Sequence, residues 1–175
     1  MWDILLAHPA ANAVGAFAAL LGITWPLYAS RRALLMAQGA AHAAFAVHFW
    51  LLGAPTAALM NVLGAAQTGA ALPLGDRPGF RRLYLAILPV IALGAAFTWH
   101  GWASLFSALG LALFSLARYQ LDTLALRMLM VLGIVSWFAH NWMVMSIPAM
   151  TTDMLSLATS LMMIAAERRR RKQPA

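Results

Sequence analysis

A single aspartate interrupts a long apolar run near the end of the chain: Asp153 stands about six residues after Ile147, among Met, Leu, Ala and Ser. An aspartate inside a membrane span costs about 2.5–3.5 kcal/mol on insertion scales unless it meets a partner or water. A carboxyl group placed there is suited to binding a solute donor or to carrying a proton. His48 and His140 supply imidazoles whose charge changes near neutral pH, and Asn61 adds an amide. His140 with Asp153 could form a proton-coupling pair. Alternatively the carboxyl stays protonated, or pairs with His140, and only fixes helix packing.

These residues define a candidate solute site of His48, Trp50, Asn61, His140, Asn141, Trp142, Asp153 and Ser156. Ser156 and Ser160 continue the stripe of Asp153 at i+3 and i+7, echoed earlier by Gly64 and Thr68. Such a stripe fits a solute path or hydrogen bonding between helices. The two histidines read either as solute donors or as interfacial imidazoles, and Trp50 and Trp142 as stacking surfaces or as belt residues. Gln38 and His42, one turn apart, extend the site toward the middle of their span.

Several chemistries lack their parts. The chain has no cysteine, hence no disulfide, thiolate nucleophile or Cys-based metal site. There is no His-Glu-x-x-His motif, no second intramembrane aspartate and no serine in a nucleophile elbow. The histidines show no ligand-pair spacing, so no metal is expected. The one lysine, Lys172, lies in the tail, which excludes a retinal Schiff base. The expectation is a protein without enzymatic activity and without a cofactor.

The elements that must position the site are membrane helices. With 63% hydrophobic and 10% charged residues, the chain has too little polar surface to cover a water-soluble globule. Seven apolar stretches approach the roughly 20 residues a bilayer core requires: Ala11 to Ser30, Ala33 to Gly53, Pro55 to Leu74, Leu83 to Trp99, Trp102 to Ala117, Thr123 to Met145 and Ile147 to Glu167. Met1-Trp2-Asp3 has no positive n-region, so the first span is expected to be retained.

The basic residues fall in alternate gaps. Arg31 and Arg32 follow the first span, Arg77, Arg81 and Arg82 the third, Arg118 the fifth, and the tail carries Arg168 to Lys172. Arg127, about one turn inside the sixth span, reads as an anchor snorkelling to the same side. The positive-inside rule then puts the C-terminus in the cytoplasm and the N-terminus in the periplasm. Trp99, Trp102 and Trp142 lie toward the outer interface. The net charge of +7 is read as orientation signals and contacts to anionic lipid, not as a nucleic-acid surface.

The rare residues recur. His48-Phe49-Trp50 and His140-Asn141-Trp142 stand 92 apart (140 − 48), as do Asn61 with Asp153, Phe45 with Trp137, and Thr68 with Ser160. An offset of 88 aligns Leu21-Gly22 with Leu109-Gly110 for spans one and five. The expected fold is an all-α membrane protein of seven transmembrane helices, two parallel three-helix repeats joined by a linker helix. Repeat one covers about 11–74, the linker about 83–99, repeat two about 102–167, and a basic tail 168–175. Gly15 with Ala19 and Ala65 with Gly69 offer small-residue spacing for close helix contact.

Val47-His48-Phe49-Trp50-Leu51-Leu52-Gly53 followed by Asn61, and Ala139-His140-Asn141-Trp142 followed by Ser146, resemble the YgjV-like family of bacterial inner-membrane proteins. The resemblance implies an inner-membrane location and carries no assigned activity. A second, architectural likeness is to the SWEET and PQ-loop transporters, which also combine parallel triplets with a linker. This chain has no Pro-Gln pair, and Pro26 has no proline counterpart in span five.

Counting inward, Asn61, Asp153, His48 and His140 share a level roughly 9 Å from the outer ends of their helices. If the triplets pair about a central axis, that ring of groups lines a pocket opening outward. The expected function is transport of a small polar solute, with the bilayer as partner and self-association left open. The alternative is a structural or accessory protein that binds a partner within the bilayer, with a dry interior and its polar stripe facing out.

Overall fold

The computed structural model describes residues 8–24, 30–75, 77 and 79–172, and they are helical or in short turns. Pro26, the end of the first expected span at 25–29, the start Met1-Trp2-Asp3 and the last residues of the tail lie outside them. The helices are α1 (Pro9–Thr24), α2 (Arg31–Leu51), α3 (Pro55–Leu74), α4 (Leu83–Ala86), α5 (Leu88–Phe97), α6 (Trp102–Tyr119), α7 (Thr123–Met143) and α8 (Ile147–Lys172), with a 3-10 turn at Phe80–Arg82 before α4. Among the described residues five runs are long and apolar enough to cross a membrane: Pro55–Leu74, Phe80–Phe97, Trp102–Tyr119, Thr123–Met143 and Ile147–Arg171. α1 is a shorter apolar helix of 16 residues. α2 has the length, at 21 residues, but Gln38, His42 and His48 dilute its apolar character.

Local chemistry sets the boundaries. Ser30 Oγ accepts from the Ala33 amide, and Asp122 Oδ1 accepts from the Ala125 amide, each an N-cap that satisfies a free helix donor. The run Phe80–Phe97 is not one helix, because α4 stops at Ala86 and α5 begins at Leu88. Pro89 has no amide hydrogen to continue the ladder from α4.

The turn after α2 is repeated after α7. Gly53 (φ 70) and Met145 (φ 54) sit in the left-handed region, 92 residues apart (145 − 53). The amides of Ala54 and Ser146 bond the carbonyls of Phe49 and Asn141, and those of Gly53 and Met145 bond Trp50 and Trp142. This is the paired-bond C-terminal cap that turns a helix back sharply, so α3 and α8 return antiparallel to α2 and α7.

Six helices form a closed ring in the order α1, α2, α3, α6, α7, α8 and back to α1, while α4 and α5 pack outside against α6 and α3. Chain direction puts all the described Arg-bearing connections at one end, here the basic end. The opposite end carries Trp50, Trp99, Trp102 and Trp142, all more than half exposed. Amphipathic rings in that position suit a membrane interface.

The core fills the opposite half of the ring. Phe49, Met60, Leu111 and Trp137 are its large members, closed by Ala54, Ala57, Ala108 and Ala149. Close approach depends on small residues: a Cβ on Gly15 would lie 2.6 Å from the His48 ring, and one on Gly110 2.5 Å from Trp137. The expected contact at Gly69 does not form, since nothing lies within 4 Å of the Cβ position there. Its face of α3 is exposed.

Candidate functional site

The ring encloses a cavity of about 630 Å³. Three helices give it full stripes at helical spacing. α2 contributes Gln38, His42, Phe45 and Phe49; α7 contributes Arg127, Met130, Ile134, Trp137 and Asn141; α8 contributes Thr152, Asp153, Ser156, Ser160 and Met163. α3 adds Asn61, α6 adds Phe114 and Arg118, and α1 closes the gap with Gly22 and Ile23.

The polar contacts fix several protons. Asn61 Nδ2 donates to the Ala57 carbonyl at 3.0 Å, which leaves Asn61 Oδ1 facing His42 Nδ1 at 3.1 Å. A carbonyl oxygen only accepts, so His42 carries a proton on Nδ1. Asn141 Nδ2 donates to Asp153 Oδ2 at 2.6 Å, while Asn141 Oδ1 is buried with no partner. Asp153 thus leans on an amide of the adjacent helix α7, not on His140.

Of the eight residues expected from sequence, Asn61, Asn141, Asp153 and Ser156 line the cavity, joined by Gln38 and His42. His48, His140, Trp50 and Trp142 do not. His48 and His140 are enclosed at 0% and 1% exposure. His48 donates from Nδ1 to the Ala11 carbonyl at 2.7 Å, and its Nε2 accepts from Ser146 Oγ at 2.7 Å. His140 donates from Nδ1 to the Ala103 carbonyl at 2.8 Å. Each imidazole ties its helix to the preceding one. Trp50 and Trp142 project from the outer wall, 69% and 60% exposed.

The opening also differs from expectation. At the opposite end Phe49 and Trp137 stack with centroids 6.0 Å apart, and His140 meets both rings edge-on. These rings cross the ring of helices from α2 to α7 and form a floor. The cavity extends from that floor to Arg118, Leu126 and Arg127 at the basic end. At the level where sequence counting put an outward vestibule, this aromatic contact shares the cavity lining with Asn61, Asn141 and Asp153.

Two arginines of the basic end, expected from sequence as orientation signals, also line the cavity. Arg118 Nη1 donates to Gln67 Oε1 at 2.7 Å, and Gln67 Nε2 donates to Ser115 Oγ at 2.9 Å. Gln67 is 2% exposed and had no sequence signal beyond being a polar residue in a span. Arg127 lines the cavity with its Nε fully enclosed and without a partner, not snorkelling free.

A family model described as Imp-YgjV, bacterial inner membrane protein, matches residues 9–171. The chain belongs to that family. The match runs from the start of α1 to the end of α8, so the whole ring is the family's common part and the location is the bacterial inner membrane. No curated protein and no solved structure matches this Imp-YgjV chain.

Proposed function

We propose that this Imp-YgjV protein is a small-solute transporter built from two parallel three-helix units, α1–α3 and α6–α8, joined by the α4–α5 segment, with the solute site between them. The observation that carries the reading is the cavity itself, lined by polar groups from both units, Gln38, His42 and Asn61 on one side and Asn141, Asp153 and Ser156 on the other.

The matched turns at Gly53 and Met145 support the duplication. So do the bonds His48 to Ala11 and His140 to Ala103, each spanning 37 residues. The second pair supports a correspondence of α1 with α6 at 92 residues (103 − 11), beside the offset of 88 expected from sequence. Contacts of α1 with α8 and of α3 with α6 are those a twofold axis along the membrane normal requires. With the arginines inside, the N-terminus is periplasmic, the C-terminus is cytoplasmic, and the cavity faces the cytoplasm.

An accessory protein that binds a partner in the bilayer would have a dry interior and an outward polar stripe. Ser156 and Asp153 turn inward to a roomy cavity, which favours transport. The reading assigns no enzymatic step. Proteoliposomes carrying a panel of small metabolites test it, comparing the parent chain with Asp153→Asn and His42→Ala. Flux of at least one solute that falls in both variants is expected. Absence of flux across the panel, or flux indifferent to both substitutions, would overturn the proposal.

A further inference from the structure

The two ends of the cavity differ in charge. Arg118 and Arg127 line the basic end, and among the described residues no carboxylate lies within ion-pair distance of either. A guanidinium carries five N–H donors. Arg118 directs Nη1 to Gln67, and Gln67 is itself held by Ser115, so the Arg118 head is set in place from the side. Arg127 Nε is enclosed and bonded to nothing. A cation in a membrane span calls for a counter-charge, and the described residues supply none there.

Asp153 does not supply it. Asp153 is tied to Asn141, which lies 14 residues beyond Arg127 on α7 (141 − 127), roughly 21 Å along the axis at about 1.5 Å per residue. Between the two levels the α7 face is apolar, Met130 and Ile134 ending on Trp137, with Phe114, Leu126 and Phe49 beside it, while Gln38, His42, Ser156 and Ser160 line the α2 and α8 sides.

We infer that the cavity takes an amphipathic organic anion, its carboxylate or phosphate held by Arg118 and Arg127 and its apolar body lying along α7 toward the aromatic floor. Paired guanidiniums match such oxyanions through charge-assisted bonds, and a volume of about 630 Å³ falls within the range of small-molecule sites. The inference rests on reading the cavity as a solute site and names the solute class. The same chemistry can come from a free metabolite-like acid or from an anionic lipid.

The test is a binding measurement without any gradient, so that its outcome is separate from that of the flux assay. The purified chain in phosphatidylcholine nanodiscs is titrated with octanoate and with 3-phenylpropionate. The uncharged 3-phenylpropanamide serves as control, and a second set of nanodiscs contains phosphatidylglycerol. Calorimetry and thermal unfolding are read for the parent, Arg127→Gln and Arg118→Gln. Saturable binding of the carboxylates, absent for the amide and weakened about tenfold or more in Arg127→Gln, is expected for a free acid. Stabilisation by phosphatidylglycerol alone, lost in Arg127→Gln, assigns the site to a lipid and upholds the inference. Because Arg118→Gln disturbs the Gln67 network and can impair folding, Arg127→Gln decides. Equal binding of amide and acid, an Arg127→Gln variant that binds like the parent, or no response to any anion overturns it.

Discussion

The imidazoles of His48 and His140 make the same anchoring bond, Nδ1–H to the carbonyl oxygen of an alanine 37 residues earlier, Ala11 and Ala103. Each bond pins the outer part of one helix to its predecessor where an unpaired carbonyl would be enclosed. His48 has a further partner in Ser146, whereas His140 Nε2 is buried and unbonded. Alanine at either position is expected to lower thermal stability in detergent, by about 1–2 kcal/mol for each bond lost, and His48→Ala more than His140→Ala. Equal or negligible losses by calorimetry would contradict the anchoring role.

Gly64 and Gly69 share a helix and face different surroundings. A Cβ at Gly64 would stand 2.9 Å from the His42 ring, and one at Gly69 would meet nothing. Gly64→Ala is expected to push His42 off Asn61 and change solute binding. Gly69→Ala is expected to be neutral or to stabilise by about 0.5–1 kcal/mol through helix propensity. Binding and unfolding measured on the same two variants check both halves of the prediction.

Met145 holds a conformation that glycine holds at Gly53. A non-glycine residue in the left-handed region is strained by about 1–2 kcal/mol, part of which glycine's greater freedom in the unfolded chain offsets. Met145→Gly is therefore expected to raise stability by about 0.5–1 kcal/mol, and Gly53→Ala to lower it by about 1 kcal/mol. Thermal unfolding of the two variants in one detergent reads the opposite signs.

Asp122 caps α7 and meets Arg171, which also bonds Glu167. The Ala125 amide and the Arg171 guanidinium hold the Asp122 carboxyl below its ordinary range. A group whose folded value is depressed stabilises the fold above its unfolded value and loses that contribution as pH falls through the folded one. The melting temperature is expected to fall on acidification below the usual carboxylate range, and less steeply in Asp122→Asn. That variant keeps an N-cap but cannot titrate. Identical acid profiles for parent and variant would count against the assignment.

Depth was legible in the sequence, and rotation about the helix axis was not. Counting residues from the turns gave the level of Asp153 and His140, because rise per residue is fixed. Which way a side chain points depends on about 100° per residue, referred to a packing face that only the neighbours define. Phe49 and Asn141 face the cavity, so His48 and His140, one residue earlier, turn into the helix contacts, and Trp50 and Trp142, one residue later, turn outward. The spacing of Gln38, His42, Phe45 and Phe49 marks one face of α2. Followed as a stripe, it would have preferred His42 to His48. Arg118 and Arg127 escaped for another reason: arginine near a helix end satisfies the orientation rule whether its head meets water, lipid or a cavity.

The ring closes where α8 packs against α1. During synthesis five of its six members leave the ribosome before α8, which brings Asp153 and Ser156. Without α8 the other five leave the ring open, so the last segment both closes the wall and brings Asp153, the only carboxylate among the described residues of the lining.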